Sequence, residues 1–543
     1  MKKDLEYCNY SAPEREVDRH SWYRQQGWWT GESLLSRYAK WVQHSPSSLA
    51  VADDRGKQLS HLQLWEEAGR VVSALKEAGI GAGDVVIIFL PNRIEWQLIL
   101  VAILRLGAIP ANLPIRNDAD TLAYTATLVG AKAIVTCSEH RSNAPVEIAR
   151  QASLACEHSL LVAELTIGQQ LQWHFPQEKP IPAKPEFAGL DHLMFTSSTT
   201  GLPKAVMHTA DTLAALNGTF VERFSLAQND SIFMSSPMGH SVGAIHGARL
   251  ALYNGAPLIL QDQWDPELAI DLIAKYQCVF TAAATPFLKD LVEFPWNRKT
   301  PKLETLKWFL CGGAQVPPKL MEKAWQQFPQ TFVTVLWGMT EGGLTTCLDS
   351  TSQEKLLSTA GIGLPGLELR ALNAEGDPVA CGEEGELVMR GPGVFVGYYG
   401  QNELYHSLLT KDGFFKTGDL VCIDQEGYVQ ISGRLKDLII RGGVNISPVP
   451  AENILSTHPN ISYAAVIGFP DERLGERICA VIVPKGDLPD LDEIVAYSIT
   501  HGLPKYHCPE LMFTVDQMPM TPAGKIRKNE LRELIIVQTH QHR

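Results

Sequence analysis

The chain has 543 residues, of which 45% are hydrophobic and 20% are charged, and its formal net charge at pH 7 is -13. A single hydrophobic core stops growing near about 250–300 residues, so this length predicts several domains, and the composition is typical of a soluble globular protein. The acidic balance argues against broad binding to nucleic acid or to anionic membranes, and the longest apolar run, Leu98–Leu104, is too short to span a bilayer.

Ten cysteines lie scattered between Cys8 and Cys508 with no C-x-x-C spacing. This pattern predicts reduced thiols in a cytoplasmic protein and argues against a disulfide framework or a thiolate zinc site. Cys311, which stands beside two glycines, is predicted to be a small buried residue rather than a nucleophile. The start of the chain has no signal-peptide core.

The first part of the chain predicts helices that pack on a first core. Residues 1–50 are rich in Trp, Tyr and Arg and indicate an arm or opening helices. Ser60 and Gln63 have the spacing of a capping box, so a helix is predicted to begin there and to end near Gly79.

Apolar strands alternate with helices after this point. Strands are predicted at 85–90 and 133–136, with a helix at about 94–106 between them. Because these strands are apolar throughout, they predict a mostly parallel sheet covered on both faces. Residues 166–188 are polar and contain prolines, so they predict a linker.

Beyond the linker, each predicted strand ends in small, polar or glycine-bearing residues. Open α/β sheets place ligands at such ends, so their recurrence predicts a ligand site. The ends are Pro237–His240, Trp264–Pro266, Ala282–Pro286, Cys311–Ala314 and Trp337–Glu341.

A hydroxyl-rich loop, Thr196–Lys204, follows a predicted short strand at 193–195. Four consecutive Ser and Thr residues, followed by Gly, Pro and Lys, are typical of a loop. Exposed backbone N–H groups with one cation at the end suit a polyphosphate, although no Walker-type Gly-Lys-Ser/Thr triplet occurs here. The stretch alone leaves a polar surface loop open as the alternative.

The sequence pattern changes near residue 360, where glycines become frequent. Glycine-rich strand-and-turn segments predict a small antiparallel β-subdomain. A boundary is predicted near Gly433–Asp437, and the tail beyond it has a β/α pattern of its own, which indicates a separate small domain.

Five separated motifs follow one another in a fixed order, namely Thr196–Lys204, Trp337–Glu341, Thr417–Asp419, Gly433–Asp437 and Thr521–Lys525. Together they resemble the adenylate-forming superfamily of acyl-CoA synthetases, aryl-acid adenylating enzymes, nonribosomal adenylation domains and firefly-type luciferases. The resemblance covers residues 45–530. The chain looks most similar to medium-chain fatty-acid and cyclohexanecarboxylate CoA ligases, a likeness carried by residues 23–29, 237–240, 284–287 and 441–446.

The fold that this resemblance implies is of the α/β class. Residues 1–435 would form a large N-terminal domain for ATP and acid binding, built from two doubly wound, mostly parallel α/β subdomains and the small antiparallel β-subdomain. Residues 436–543 would form a small, mobile α+β C-terminal domain that carries the catalytic lysine.

The implied enzyme is an acid–thiol ligase, an AMP-forming acyl-CoA synthetase. A medium-chain, alicyclic or aromatic carboxylate would attack the α-phosphate of ATP, giving an acyl-adenylate and pyrophosphate, and the thiol of CoA would then displace AMP. One alternative is a stand-alone acid-adenylating enzyme that loads a phosphopantetheinyl carrier protein in trans, and another is a nucleotide- or acyl-binding homologue without turnover. A luciferase-type oxygenase has little support.

The implied cofactors are ATP, Mg²⁺ and CoA, or the phosphopantetheine of a carrier protein. We expect no nucleic-acid partner and no membrane span. The enzyme would be a cytoplasmic monomer or homodimer.

By this resemblance the ATP site draws on residues from all five motifs. Lys525 would bridge the acid carboxylate and the α-phosphate, and Glu341 and Thr196 would hold Mg²⁺. Asp419 has two acceptor oxygens for the ribose hydroxyls. Taken singly, these side chains would be ordinary loop, cap or turn residues. The remaining ATP-binding positions are Ser197, Ser198, Thr199, Thr200, Gly201, Lys204, Gly312, Gly313, Ala314, Gln315, Trp337, Gly338, Met339, Thr340 and Arg434.

The acid would bind beside His240, which otherwise reads as a turn histidine. Small and apolar neighbours without a basic group favour an uncharged acyl group over an amino acid, and Ser241 after the histidine argues against a catechol acid. The proposed lining consists of His240, Ser241, Val242, Gly243, Ala244, Ala283, Ala284 and Met339.

The second half-reaction would need a thiol channel and a domain rotation. Gly442 and Gly443 would let pantetheine pass close to the backbone, and Lys436 matches the hinge. Ser198 and Ala205 depart from the family pattern, which has glycine at both positions.

Overall fold

The computed structural model describes residues 16–165, 170–174, 179–184, 187, 189–196, 202–297, 300–312, 316–520 and 526–541. The α-helices in these ranges are α1 Glu16–Gln25, α2 Leu34–His44, α3 His61–Glu77, α4 Ile94–Leu106, α5 Ala119–Val129, α6 Pro145–Ala155, α7 Ala210–Phe224, α8 Leu250–Asn254, α9 Pro266–Lys275, α10 Thr285–Glu293, α11 Pro318–Gln327, α12 Gln353–Ser358, α13 Asn402–Ser407, α14 Val449–Leu455, α15 Leu491–Thr500 and α16 Lys528–Gln541. A π-helix spans Val242–Arg249, and 3₁₀ turns span Leu435–Asp437 and Lys505–His507.

The strands in chain order are β1 Leu49–Asp53, β2 Gln58–Ser60, β3 Val85–Ile88, β4 Ile109–Asn112, β5 Ala131–Cys137, β6 Leu161–Leu165, β7 Leu171–His174, β8 Leu190–Phe195, β9 Ala205–Thr209, β10 Ile232–Met234, β11 Leu258–Leu260, β12 Phe280–Ala284, β13 Trp308–Gly312, β14 Phe332–Gly338, β15 Leu344–Thr346, β16 Ile362–Gly363, β17 Glu368–Leu372, β18 Glu384–Arg390, β19 Gly397–Tyr398, β20 Phe415–Ile423, β21 Val429–Arg434, β22 Ile439–Arg441, β23 Val444–Ile446, β24 Ile461–Asp471, β25 Gly475–Pro484 and β26 Leu511–Thr514.

Two large mixed sheets form the greater part of the molecule. The eight-stranded sheet has the order β19-β9-β8-β4-β3-β5-β6-β7, and the nine-stranded sheet has the order β16-β15-β14-β13-β12-β10-β11-β1-β2. Each has a parallel centre and antiparallel edge strands. The prediction of two mostly parallel α/β subdomains is therefore confirmed.

Helix α4 lies in the largest hydrophobic cluster, which also contains apolar side chains of both large sheets, such as Val86 and Leu260. Almost every residue of α4 is buried, and Trp96 has no exposed surface. A helix that is apolar all round has to be buried in this way. The packing between the two sheets therefore depends on a helix that the sequence predicted at the observed position.

Two smaller sheets follow. The strands β17-β18-β20-β21 form the predicted antiparallel subdomain, and β23-β22-β25-β24, with β26 on β25, form the sheet of the C-terminal domain. The 3₁₀ turn Leu435–Asp437 lies between the last strand of the former and the first strand of the latter. A domain boundary between residues 435 and 436 remains our proposal.

Predictions that depend on residues close together in the chain are confirmed. Ser60 and Gln63 form the predicted capping box at the start of α3, and Gly79 beyond its end has a φ of 81°. Other details differ because backbone pairing with a neighbouring strand of the sheet decides them. Part of the supposed linker is β7, paired antiparallel with β6, and Ala282–Ala284 belong to β12 instead of following it.

Two glycine-rich segments assigned to the small β-subdomain lie elsewhere. Ile362–Gly363 forms β16 at one edge of the nine-stranded sheet, and Gly397–Tyr398 forms β19 at one edge of the eight-stranded sheet. Both are two-residue strands, which carry too little sequence pattern to reveal their partner.

No helix in the described ranges is long and apolar enough to cross a bilayer. The nine cysteines in these ranges are all free. Burial raises the pKa of the Cys311 thiol to about 12, which keeps it protonated and unreactive at neutral pH, as expected of a packing residue.

Candidate active site

The hydroxyl-rich loop connects two antiparallel strands. Phe195, at the end of β8, pairs with Ala205, at the start of β9. The N–H of Thr196 donates to the carbonyl of Lys204 (3.1 Å), and the Lys204 N–H donates to Thr196 Oγ1 (3.3 Å). These bonds close the base of the loop and hold its two ends together. Ser197, Ser198, Thr199, Thr200 and Gly201 lie outside the described residues.

Lys204 reaches the acidic motif through an aromatic ring. Its Nζ lies 4.6 Å from the ring centroid of Tyr398, and the Tyr398 hydroxyl donates to Glu341 Oε1 (2.6 Å). Glu341 is buried, with 5% of its surface exposed. Burial raises the pKa of Glu341, while the Tyr398 hydrogen bond and the charges of Lys204 and Arg434 act in the opposite direction.

Asp419 forms a second polar centre with two partners. The indole N–H of Trp337 donates to Asp419 Oδ2 (2.9 Å), and Arg434 Nε pairs with Oδ1 (2.7 Å). Asp419 and Arg434 are cross-strand neighbours on β20 and β21, and Trp337 arrives from β14 of the nine-stranded sheet. A carboxylate has about four lone-pair positions, so Asp419 retains acceptor capacity for a further ligand.

Trp337 makes a contact that the sequence did not suggest. The resemblance placed Trp337 among the ATP-binding positions, and the structure adds the hydrogen bond to Asp419. The ring also packs in a cluster with Val206 and Met389, and 9% of the residue surface is exposed. The contribution of Trp337 to ATP binding stays a prediction.

The ends of β13 and β14 approach each other closely. A Cβ at Gly312 would lie 2.6 Å from the Leu336 carbonyl oxygen, so no side chain fits there. Gly313, Ala314 and Gln315 lie outside the described residues. Gly338 ends β14, and Met339 and Thr340 lead to Glu341; the Thr340 carbonyl lies 2.8 Å from Nε2 of the buried His208.

His240 lies in a turn after β10. Its N–H donates to the Pro237 carbonyl (3.0 Å), and its carbonyl accepts from the Ala244 N–H (2.9 Å). Burial lowers the pKa of His240 to about 4, so the ring is neutral at pH 7. Its Nε2 is buried without a hydrogen-bond partner among the described residues. A buried polar atom of this kind costs free energy until a ligand or water satisfies it.

The proposed acid-binding residues continue into the π-helix Val242–Arg249. A Cβ at Gly243 would lie 2.5 Å from the Pro237 carbonyl oxygen, so this glycine lets the turn fold back on the helix. Ala283 and Ala284 end β12 and are buried, as is Ala244. Thr340 Oγ1 donates to Ser241 Oγ (3.5 Å), which joins the acid-binding and nucleotide-binding motifs. Val242 and Met339 are partly buried against hydrophobic clusters.

The side chains fit a magnesium ion shared with phosphates. Glu341 supplies a hard carboxylate oxygen, with Oε1 engaged by Tyr398, and Thr196 supplies a hydroxyl. Within the described ranges no three His, Cys, Asp or Glu side chains form a metal cluster. Mg²⁺ usually binds through one or two carboxylates and keeps waters or phosphates as its other ligands, so this donor set suits it.

Gly442 and Gly443 connect β22 to β23 in a two-residue hairpin, with φ values of 58° and 84°. Such a turn with two positive φ values strongly favours glycine. A Cβ at Gly443 would meet no atom within 4 Å. The turn conformation therefore gives a reason for these glycines that does not depend on a thiol channel.

Lys436 occupies the 3₁₀ turn between the two smaller sheets. Although the residue is exposed, desolvation of its ammonium lowers its pKa; Arg434 and Lys204 act in the same direction, and Asp437 and Asp419 oppose them. The proposed hinge thus lies within electrostatic reach of the Asp419 centre. Lys525 lies outside the described residues.

Tyr398 and two asparagines, Asn92 and Asn112, were not identified from the sequence. Tyr398 contacts Glu341 from 57 positions away, and Asn112 bonds to Gly239 from 127 positions away. Asn92 follows the apolar strand β3 and Asn112 ends β4, so the rule that ligands gather at strand ends would have flagged both.

Comparison with known proteins identifies the family. The model for AMP-binding enzymes matches residues 38–399, and the model for their C-terminal domain matches residues 451–525. The chain belongs to the AMP-binding enzyme family. The resemblance stated from the sequence motifs is therefore confirmed, and the chain is an adenylate-forming, acid-activating enzyme.

Members of this family with different acceptors are similar to the chain over most of its length. It is 31% identical to the medium-chain fatty-acid–CoA ligase of Escherichia coli (strain K12), covering 95% of this chain and 93% of the relative. It is also 31% identical to the salicyl-AMP ligase / salicyl-S-ArCP synthetase of Mycobacterium tuberculosis (strain ATCC 25618 / H37Rv), with coverage of 95% and 93%. The crystal structure of ATP-bound MatB from Rhodopseudomonas palustris matches with a TM-score of 0.80 at 26% identity, covering 92% of this chain and 98% of that one.

Proposed function

We propose that this enzyme is an ATP-dependent carboxylate–CoA ligase for a medium-chain, alicyclic or aromatic acid. The observation that carries the proposal is the contact of Lys204 with Tyr398 and of Tyr398 with Glu341, beside the Asp419 centre. It joins a cation at the end of a phosphate-type loop to a buried carboxylate suited to Mg²⁺. The similarity to the Escherichia coli CoA ligase supports CoA as the acceptor.

In the first half-reaction, the chain has to bring two anions together. Lys204 and the backbone N–H groups of the hydroxyl loop would hold the pyrophosphate portion of ATP, and Asp419 would accept the ribose hydroxyls. Lys525 would bridge the attacking carboxylate and the α-phosphate, stabilising charge in the transition state. Mg²⁺, held by Glu341 and Thr196, would neutralise phosphate charge when bound.

The acid would lie against the neutral His240 and the small side chains of the adjoining helix. No cation is present among the proposed lining residues, and an uncharged acyl group needs none. After adenylation, rotation of residues 436–543 about Lys436 would withdraw Lys525 and open the thiol path past Gly442 and Gly443.

The proposal is tested by isotope exchange between ATP and pyrophosphate with hexanoate, cyclohexanecarboxylate and benzoate in turn. We expect exchange with at least one acid, followed by CoA-dependent release of AMP and an acyl-CoA product. Exchange without any acyl-CoA product would contradict the ligase assignment.

Lys525→Ala provides the mechanistic test. Loss of a donor to the transition state should reduce adenylation by at least about 10²-fold while ATP still binds. The matched variant is Lys528→Ala, which removes a nearby lysine that pairs with Glu452 (2.7 Å) and should retain exchange. Near-normal exchange in Lys525→Ala would refute the role of Lys525.

Loading of a carrier protein is the second candidate. Equal sequence identity to the salicyl-AMP ligase / salicyl-S-ArCP synthetase favours it. Parallel assays with CoA and with phosphopantetheinyl carrier proteins distinguish the two acceptors, since the preferred one should give the faster release of AMP. Multiple turnovers with either acceptor would exclude a homologue that only binds nucleotide.

A further inference from the structure

A buried polar network connects the proposed acid-binding turn to the strand that leads into the hydroxyl loop. Asn112, the last residue of β4, donates from Nδ2 to the Gly239 carbonyl (2.7 Å). Its Oδ1 lies 2.8 Å from Nε2 of His192 on β8, and His192 Nδ1 lies 3.2 Å from Arg249 Nη1. Arg249 also pairs with Asp191 (2.6 Å).

The direction of every hydrogen bond in this network follows from chemistry. Arginine can only donate, so His192 Nδ1 accepts and the ring proton is on Nε2. That proton is donated to Asn112 Oδ1, which leaves the Asn112 amide to donate to Gly239. Burial, with the charge of Arg249 adding to it, holds the pKa of His192 well below its usual range, so the ring is neutral as this arrangement requires.

The turn that contains Gly239 also packs closely against the residues that follow β4. A Cβ at Gly239 would lie 2.5 Å from the backbone of Leu113 and Pro114, the residues that follow Asn112. Gly239 precedes His240 directly, and Asn112 has no exposed surface. Asn112 therefore holds the backbone immediately before the proposed acid-binding histidine, and no solvent competes for its amide.

We propose that Asn112 is a positioning residue for the acid substrate, which it serves by fixing the turn that presents His240. The network extends to both ends of the π-helix, because Arg249 ends that helix and Gly239 lies just before it. Through His192 it also includes β8, whose next residue after Phe195 is Thr196 of the hydroxyl loop. The network thus links the acid-binding turn to the strand that leads into the hydroxyl-rich loop, and its role rests on the function proposed above.

The test compares Asn112→Ala with Asn254→Ala. Asn254 is another buried asparagine whose amide donates to backbone carbonyls, those of Leu226 and Ala227, at the end of α8 that is farther along the chain from the acid-binding turn. Both variants lose hydrogen bonds in the interior, so both should be less stable. Only Asn112→Ala should affect the acid-binding turn.

The first measurement is hydrogen–deuterium exchange of the full-length protein, read by mass spectrometry on peptides that contain residues 235–247. The N–H groups of His240 and Ala244, which are bonded within this turn, should exchange faster in Asn112→Ala and at the wild-type rate in Asn254→Ala. An unchanged rate in Asn112→Ala would overturn the proposal. This readout requires no substrate.

The second measurement is ATP–pyrophosphate exchange with whichever of hexanoate, cyclohexanecarboxylate and benzoate is most active. Loss of the bond to Gly239 should raise the KM for the acid about tenfold, because the free energy of one interior hydrogen bond corresponds to about a tenfold change in affinity. The KM for ATP should stay nearly unchanged. A parallel rise in both KM values, or a change in kcat alone, would overturn the proposal.

Asn112→Leu covers the case in which the alanine variant does not fold, because it fills a similar volume and introduces no charge. It loses the donor to Gly239, so it should show the same faster exchange and higher acid KM. If the wild-type enzyme showed no ATP–pyrophosphate exchange with any of the three acids, the proposed function would be overturned. If an Asn112 variant were active and its turn exchanged hydrogen at the wild-type rate, only the role of Asn112 would be overturned.

Discussion

At the scale of single residues, Tyr398 joins the two charged groups of the proposed phosphate site. Its ring lies under the Lys204 ammonium, and its hydroxyl donates to Glu341. Burial and the adjacent Glu341 carboxylate raise the pKa of Tyr398 far above its usual range, so the hydroxyl remains a donor at any working pH. A buried carboxylate needs such a donor, because an unsatisfied charge in the interior is costly.

Tyr398→Phe separates the two contacts of this side chain. The variant keeps the ring under Lys204 and removes the donor to Glu341, so the free energy of unfolding should fall by about 1–3 kcal/mol. The Mg²⁺ concentration for half-maximal exchange should also rise, because Glu341 is less firmly oriented. Chemical denaturation and a Mg²⁺ titration measure these effects.

Tyr398→Leu is the comparison variant, because it also removes the ring and its edge contact with Phe395. It should be less stable than Tyr398→Phe. If Tyr398→Phe matched the wild type in stability and in Mg²⁺ dependence, the hydrogen bond from Tyr398 to Glu341 would contribute neither to folding nor to Mg²⁺ binding.

At the scale of elements, the segment that follows α1 packs against the residues that flank β17 and β18 of the small β-subdomain. The Trp29 indole N–H donates to the Pro392 carbonyl (2.8 Å), and the Trp28 ring lies where a Cβ at Gly366 would come within 2.8 Å. Gly366 also has a φ of 80°. The aromatic residues that the sequence marked as an opening arm therefore pack against a region more than 300 positions away.

Gly366→Ala should destabilise the protein more than Gly376→Ala. Both glycines have a positive φ, which costs an alanine about 1–2 kcal/mol, but a Cβ at Gly376 would meet no atom within 4 Å. The excess at Gly366, about 1–3 kcal/mol, measures the crowding against Trp28. Urea denaturation of both variants provides the comparison.

A double variant checks the cause. Trp28→Ala combined with Gly366→Ala should remove the excess, since the ring that the new methyl meets is gone. Equal costs for the two glycine variants would contradict the contact between Trp28 and Gly366.

The hairpin of Gly442 and Gly443 allows a test of the proposed thiol path. Gly443→Ala should cost about 1 kcal/mol or more of stability from its positive φ alone, since the position is open. If pantetheine passes here, CoA-dependent release of AMP should slow while ATP–pyrophosphate exchange is retained. Equal effects on both half-reactions would indicate that the glycines serve only the turn.

At the scale of the whole molecule, neutral histidines in the interior link stability to pH. Burial lowers the pKa of His208, His240 and His246 to about 4 from an ordinary value of 6.5. Between these values the unfolded chain binds more protons than the folded one. Stability contributed by these groups is therefore present above pH 6.5 and is lost as the pH falls toward about 4.

The free energy of unfolding should fall steeply below about pH 6.5, with each of the three histidines contributing up to about 1.4 kcal/mol per pH unit. Guanidinium unfolding at a series of pH values measures the slope. His246→Leu should lower this slope by the contribution of one proton taken up on unfolding. The reason is that the His246 ring stacks on Phe220 and has an unpaired Nδ1 among the described residues. A slope unchanged by that substitution would show that His246 takes up its proton without unfolding.

The sequence by itself determined the family, the fold class and the positions of those elements that have a strong local pattern. Helices α3 and α4 were predicted where they occur, because capping boxes and apolar runs act between residues close in the chain. The five motifs could be recognised because each is a short continuous segment. Their assigned roles remain proposals.

Only the tertiary structure decided which side chains meet. Trp337 bonds to Asp419 across 82 positions, and Asn112 bonds to Gly239 across 127. The two-residue strand β19, which brings Tyr398 to Glu341, has no sequence pattern that names β9 as its partner. The physical reason is that strand pairing and interior hydrogen bonds are satisfied by whichever groups the folded chain brings together, and local sequence does not specify those partners.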